Sequence, residues 1–265
     1  MIFESHAHYD DEAFDTDRQE ILQGMQEHGI KYIVNTGAGM ASSKRSIELA
    51  QEFPDVYAAI GVHPEETGEM TAEDLNWLRQ QCSTPKVVAV GEIGLDYHWP
   101  EPARDIQKLW FGRQLQMAYE ENMPVIIHSR EAAKDTLEIM QNIPSKQSGR
   151  KGSIHCFSYS EEVAKIFLKM GYDIGIGGVI TFKNAKKLKE AVKSIPLERI
   201  LLETDSPYLA PEPYRGSRNC SYYLPLVAQA IAEIKGVTAE KVIEITQQNA
   251  MELFGINTAC SQSPE

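Results

Sequence analysis

Histidines and carboxylates recur in this 265-residue chain where they could converge on metal ions. His6 and His8 flank Ala7. In an extended segment, residues two apart share a face, roughly 6.5–7 Å apart at ~3.3 Å per residue, so both imidazoles can face one ion. Further along, His63, Glu92, His128, His155 and Asp205 each end or follow a short apolar run. Four imidazoles (His6, His8, His128, His155) and two carboxylates (Glu92, Asp205), without a thiolate, suit borderline or hard divalent ions such as Zn²⁺, Mn²⁺, Mg²⁺ or Ni²⁺ and do not select among them. A catalytic zinc usually takes three protein ligands, so the set exceeds what one ion needs. Two ions roughly 3.5–4 Å apart and bridged by a carboxylate use it better. Glu92, between the first-strand pair and the later histidines, is the natural bridge. Such groups buried together without a cation would cost several kcal/mol.

The elements that must position these residues alternate. Short β-branched runs fall at 1–4, 31–35, 56–62, 86–91, 124–128, 152–155, 172–176 and 199–203. Between them, amphipathic patterns predict helices over 17–28, 40–52, 71–81, 104–121, 131–142, 161–170 and 185–194, with two more at 222–235 and 239–254. Thr71 with Asp74 reads as an N-terminal cap, Thr238 as another, and Gly255 as a C-terminal stop. Eight strand–helix alternations predict an α/β fold, a (β/α)₈ TIM barrel with additional C-terminal helices, over a doubly wound open sheet. In a barrel all strand ends meet at one mouth, so the histidines and carboxylates would surround one space. No linker or composition shift divides the chain, which reads as one domain over 1–256 with a flexible polar tail at 257–265.

Composition narrows the function classes. No stretch approaches the eighteen apolar residues of a membrane span, and no secretory signal follows Met1. Cys82, Cys156, Cys220 and Cys260 are scattered without a Cys-x-x-Cys pair, which fits a reducing cytoplasm. Lys and Arg total 26 against 38 Asp and Glu, a formal net charge of -12. That balance argues against coating duplex phosphates, so any nucleic-acid contact needs local positive charge. Lys183, Lys186, Lys187, Lys189 and Lys193 have helical spacing, with Leu188 and Val192 inward, and read as a solvated helix face. Trp77, Trp110 and the methionines read as core, His28 and His98 lie outside the ligand set, and a monomer is expected.

The chain resembles the TatD-like metal-dependent hydrolases, a branch of the amidohydrolase-type barrels. The resemblance rests on Ser5-His6-Ala7-His8, Gly61-Val62-His63-Pro64, Gly91-Glu92-Ile93-Gly94-Leu95-Asp96-Tyr97, Pro124 to Arg130, His155-Cys156-Phe157-Ser158 and Glu203 to Leu209, followed by Pro213-Tyr214-Arg215-Gly216 and Asn219. It implies a TIM barrel and divalent-metal phosphodiester hydrolysis, with deoxyribonuclease activity known in several members. It carries the metal ligands to His6, His8, Glu92, His128, His155 and Asp205, the set that the strand ends give. The family usually has Asp where Glu4 stands, and Pro in the segment of Cys220-Ser221-Tyr222.

The expected reaction is hydrolysis by metal-activated water, most simply an exonuclease acting on DNA ends or single strands. Asp205 would bind an ion and accept the water's proton, and His63 would contact the phosphate or leaving oxygen. Glu203, two residues before Asp205, would orient a ligand imidazole. Arg130, Arg215 and Arg218 are candidates for phosphate contact. Tyr97 is a candidate substrate contact, and Trp99, Phe157, Tyr159, Tyr208 and Tyr214 share its setting in loops suited to stacking bases. The alternative is hydrolysis of an ester or amide, such as an aminoacyl-tRNA ester or a small cyclic amide, whose carbonyl an ion pair polarises equally well. A non-catalytic scaffold is the third reading.

Overall fold

The computed structural model describes residues 1–143, 145 and 148–256. Eight parallel strands form one sheet in sequential order: β1 (Ile2–Ala7), β2 (Ile30–Thr36), β3 (Val56–Ile60), β4 (Val87–Asp96), β5 (Val125–Arg130), β6 (Gly152–Ile154), β7 (Tyr172–Ile176) and β8 (Ile200–Leu202). The sheet curls until its ends meet. Ser5 Oγ donates to Leu202 O, Asp205 N–H to His6 O and His8 N–H to Ser206 O, and Ala7 and Ser206 form a parallel bridge. This is the predicted barrel, and the doubly wound sheet is excluded.

Helices α1 (Arg18–Gly24), α2 (Met40–Glu52), α3 (Ala72–Gln81), α4 (Arg104–Glu120), α5 (Ala133–Asn142), α6 (Glu161–Lys169) and α7 (Lys186–Ser194) follow the first seven strands in turn. Helices α8 (Leu224–Lys235) and α9 (Ala239–Phe254) follow β8. The strands are apolar and buried on both faces, as parallel strands under helices must be. Thr71 and Asp74 form a reciprocal capping box, Thr238 accepts from Lys241 N–H, and Gly255 adopts the left-handed conformation that ends α9. No helix among the described residues is long and apolar enough to cross a membrane. The tail expected at 257–265 lies outside the described residues.

Two packed regions surround the sheet. A large cluster fills the space between strands and helices, with Ile33, Ile60, Ile93, Phe111, Leu115 and Phe167. A smaller one joins Phe3, Val34, Ala59, Ala89, Ile126 and Leu201 from six strands, which can touch only inside the barrel. Leu253 and Phe254 of α9 join it, and Phe254 stacks on Phe3 at 5.8 Å between ring centroids, closing the end where the strands begin. The opposite end is left for the mouth.

Four expected boundaries need correction. β1 continues to Ala7, and β4 runs to Asp96 instead of stopping at residue 91. Gly91 and Gly94 lie within the strand and allow close strand approach: a Cβ on Gly94 would lie 1.9 Å from His128 O, and one on Gly91 2.6 Å from Ile126 Cβ. The first helix is cut short, because a 3₁₀ turn at Gln26–His28 ends in left-handed Gly29. The helix expected from 131 starts at Ala133, since Glu131 has φ 55°. Of the tryptophans, Trp110 is buried, whereas Trp77 is half-buried with Lys44 over its ring. Helix α7 buries Leu188, Ala191 and Val192 and turns Lys186, Lys187 and Lys193 to solvent, as its spacing implied.

Candidate metal centre

Two irregularities in the sheet aim the first ligands. Between Glu4 and Ala7, β1 advances three residues while β2 advances two, from Ile33 to Asn35. Between Val90 and Ile93, β4 advances three while β5 advances two. Each is a bulge, which inserts one residue and re-aims the side chains beside it. Phe3 therefore packs inside the barrel while His6 and His8, three and five residues on, both reach the mouth. Glu92 sits in the second bulge. Asp205 is set by a turn in which its own φ is 60° and its carbonyl accepts from Tyr208 N–H. Cys156, directly after His155, has φ 43°. Left-handed non-glycine residues cost of order 1–3 kcal/mol each, and both fall at ligand-bearing strand ends.

The side chains meet as the strand-end argument requires. His6 Nε2 lies 3.4 Å from Glu92 Oε2 and 3.6 Å from Asp205 Oδ1. His8 Nε2 lies 3.6 and 3.4 Å from the same two oxygens. His155 Nε2 stands 3.4 Å from Glu92 Oε1 and 3.7 Å from Asp205 Oδ1. His128 Nδ1 contacts Glu92 Oε1 at 2.7 Å, and His63 Nε2 is 3.8 Å from that oxygen. Four groupings among the described residues could hold an ion: His6–His8–Asp205, His63–Glu92–His128, His6–His155–Glu203 and His155–Cys156–Asp205. His63, expected to touch substrate, thus also has ligand geometry.

The donor set fits divalent ions. Metal–ligand distances of about 2.1 Å in a tetrahedron place ligand atoms about 3.4 Å apart, which matches most of these separations and is too long for hydrogen bonds. Two of the far nitrogens are anchored by hydrogen bonds. His8 Nδ1–H donates to Thr36 O at 2.7 Å, which leaves Nε2 to present a lone pair. His128 Nε2 bonds Asp96 Oδ2 at 2.9 Å. His155 Nδ1 faces Glu203 Oε1 at 3.3 Å, and Glu203 also accepts from Cys156 N–H. His6 Nε2 and His8 Nε2 approach to 3.0 Å, and the rings of His6 and His155 stack at 3.6 Å. The buried Nδ1 atoms of His6 and His155 have no hydrogen-bond partner. Imidazoles crowded this closely call for a cation among them.

Protonation follows from the same contacts. Burial alone would raise Glu92, yet the imidazoles of His155, His63 and His6, with His128's hydrogen bond, hold it well below the usual carboxylate range. Asp205 is likewise held down, by His155 and His8 against burial. Burial opposes a proton on His8, but Asp205 and Glu92 raise it to about 9. Asp96 and Glu92 do the same for His128, to about 9, and Glu92 and Glu203 carry His155 to about 10. Burial and neighbouring His128 drive His63 down to about 3. His63 Nδ1 accepts from Glu65 N–H at 3.2 Å, so the neutral ring carries its proton on Nε2, toward the centre.

Of the expected substrate contacts, Arg130 stands at the mouth, its Nη1 4.0 Å from Asp96 Oδ2. Arg215 lies over the Phe182 ring at 4.4 Å. Arg218 is engaged elsewhere: both its Nη atoms bond Asp17, and Nη1 also donates to Ala13 O. Tyr97 turns away from the centre, its hydroxyl donating to Asp135 at 2.7 Å and its ring under Arg104. His98 pairs with Glu131 and His28 stacks on Tyr222, both outside the cluster.

Two buried carboxylates beside the candidate ligands went unassigned. Asp96 accepts from both His98 N–H and the His128 ring. Its signal was parity: it lies four residues from Glu92 on the same strand. Glu4 is fully buried and accepts from His6 N–H, Thr204 N–H, Thr204 Oγ1 and Ser221 Oγ, at 2.7–3.2 Å. It ties the segment that bears His6 to the segment that bears Asp205. Desolvation pushes Glu4 up to about 8 despite those bonds.

A barrel with a histidine–carboxylate cluster at its mouth is the frame of a metal-dependent hydrolase. Comparison with known proteins gives the family. The model for TatD related DNase matches residues 3–255, and the chain belongs to that family. It is 44% identical over 257 residues to the metal-dependent hydrolase YabD of Bacillus subtilis, covering 97% of this chain and 100% of that protein. It is 34% identical over 247 residues to the 3'-5' ssDNA/RNA exonuclease TatD of Pantoea vagans, covering 91% and 94%. The crystal structure of YjjV, a TatD homologue from Escherichia coli K12, superposes with a TM-score of 0.90 at 30% identity over 97% of this chain and 98% of that one. The family, the barrel and the hydrolase chemistry expected from the sequence all hold.

Proposed function

We propose that this hydrolase is a nuclease that cleaves phosphodiester bonds at DNA ends or in single strands, and that its cluster would hold two divalent ions with Glu92 as the shared carboxylate. One observation carries the reading: the two oxygens of Glu92 face different ligand groups, Oε2 toward His6 and His8 and Oε1 toward His128, His155 and His63. The ligand set is His6, His8, Glu92, His128, His155 and Asp205, and Zn, Mn, Mg and Ni all suit it. Two such ions, when bound, polarise phosphoryl oxygens and lower the pKa of a coordinated water toward neutrality.

The chain's own groups do the rest. Asp205, ionised and at the mouth, accepts the proton of the attacking water. Neutral His63 offers its Nε2–H to a phosphate or leaving oxygen. With a pKa near 3 it acts as a hydrogen-bond donor and not as a proton donor at neutral pH. Arg130, half-exposed beside Asp96, is the candidate to bind phosphate. Glu203 holds the His155 ring from behind. The Pantoea relative, named an exonuclease on single-stranded DNA and RNA, supports the substrate class. The same reading takes residues 1–256 as one domain and the working state as a cytoplasmic monomer, in keeping with the free thiols of Cys82, Cys156 and Cys220.

The test is hydrolysis of 5′- or 3′-labelled single-stranded DNA by metal-stripped protein with Mg²⁺, Mn²⁺ or Zn²⁺ restored. Shortening from one end that needs metal and disappears in Asp205→Ala supports the nuclease. No cleavage by protein that has taken up metal turns the assignment to esters or amides.

A further inference from the structure

The rim of the mouth is divided by charge. After β1 it carries Asp10, Asp11, Glu12 and Asp15, after β3 exposed Glu65, Glu66 and Glu69, and after β5 exposed Glu131. The half that follows β7 and β8 is different. Residues 177–185, ahead of α7, contain no acid, and residues 206–223 contain only Glu212 against Arg215 and Arg218. Arg218 is neutralised by Asp17, whereas no carboxylate pairs with Arg215 among the described residues.

This half also presents fixed, exposed rings. Tyr208 is 53% exposed and Tyr214 43%. The ring of Tyr208 lies 6.4 Å from that of the candidate ligand His8, and its hydroxyl donates to Asp11 at 2.9 Å. Fully buried Asn219 holds the backbone beneath, donating from Nδ2 to Thr204 O and to Tyr208 O. Further out, Tyr214 stacks on Tyr223 at 4.2 Å with planes 11° apart. Arg215 lies over Phe182, and Glu212 N–H donates to Thr181 Oγ1, which joins the two loops into one surface. Exposed aromatics cost free energy in water unless something covers them, and these are held in place beside the centre and next to an available cation.

We propose that single-stranded nucleic acid leaves the metal centre over this half of the rim, one base on Tyr208, a later base on Tyr214 and a backbone phosphate on Arg215. The inference rests on the nuclease reading and adds its path and its mode: rings and a local cation instead of a broad basic track, against which the net charge of -12 argues. The acidic half of the rim stays uncovered.

The experiment measures kcat/KM of the metal-loaded full chain on single-stranded DNA from two to about twelve nucleotides, for wild type, Tyr214→Ala, Arg215→Ala and Lys187→Ala. Wild type gains efficiency with length over the first few nucleotides. Each rim variant loses about tenfold of that gain, the size of one base–aromatic stack or charge-assisted contact. Arg215→Ala also flattens the salt dependence by about 0.7 logarithmic units per decade of salt, one phosphate's share on a single strand. Lys187→Ala, which removes equal charge from the solvated face of α7, keeps the wild-type length profile. Full length dependence in both rim variants, or equal loss in Lys187→Ala, overturns the path while the nuclease stands. A wild type that hydrolyses bis(p-nitrophenyl) phosphate but no oligonucleotide removes the substrate class, and the path with it.

Discussion

Replacing Asp96 with Asn gives a demanding test of how the centre is built. Both oxygens of this buried carboxylate are acceptors, Oδ1 from His98 N–H at 2.8 Å and Oδ2 from the His128 ring at 2.9 Å. Asparagine has nearly the same shape but only one acceptor, so its NH₂ must face one of the two donors. Either His128 Nε2 loses its anchor or the His98 amide does. An unpaired buried donor costs about 1–3 kcal/mol, and losing the carboxylate behind a ligating imidazole typically costs 10–100-fold in metal affinity or activity. With His128 Nδ1 on Glu92 Oε1, the proposed two-ion centre predicts that the loss falls on an ion at the later-strand histidines and spares one at His6 and His8. Titrating metal-stripped protein against a chromogenic chelator reads the affinities separately, and thermal melts of the metal-free forms register damage to the fold. Two affinities unchanged in Asp96→Asn would refute the reasoning, because His128 would then need no partner on its far nitrogen.

Further outcomes follow from buried groups. His8, His128 and His155 are raised to about 9, 9 and 10 from 6.5, so without metal their contribution to stability is fully present below pH 6.5 and is lost as pH rises through 9 to 10. Ligation needs these rings deprotonated, so metal uptake at pH 7 should release protons and affinity should rise with pH until about 9–10, read by calorimetry in buffers of different ionisation enthalpy. Glu4→Ala strands the His6 and Thr204 amides in the interior, and urea unfolding should show a loss of about 3 kcal/mol. The remaining metal affinity should fall too, since the segments bearing His6 and Asp205 are no longer tied.

Much of this candidate site could be read from the chain because its candidate ligands stand at the ends of apolar runs, and a closed barrel brings all such ends to one mouth. Caps at Thr71 and Thr238 were legible for a similar reason: a side chain and an amide three residues away decide them. Less visible were features that depend on a distant partner. The bulges at residues 5–6 and 91–92 shift register against β2 and β5, and no local pattern marks them. Asp96 stayed hidden because the apolar run reads as ending at residue 91, while the strand runs on to Asp96. Arg218 looked free because Asp17, its partner, is 201 residues away. Tyr97 looked like a substrate contact for the same reason, since Asp135 and Arg104 claim it from the helix layer.

The most direct measurement on the central claim pairs elemental analysis with end-labelled cleavage, for wild type and Glu92→Ala in one preparation. Glu92 is the carboxylate whose two oxygens face both ligand groups. Wild type should bind about two equivalents of divalent metal, the count a bridged pair requires, and shorten single-stranded DNA. Glu92→Ala should hold one equivalent or fewer and leave the DNA intact. Two retained equivalents with wild-type cleavage in Glu92→Ala would contradict the bridged centre and the nuclease mechanism built on it.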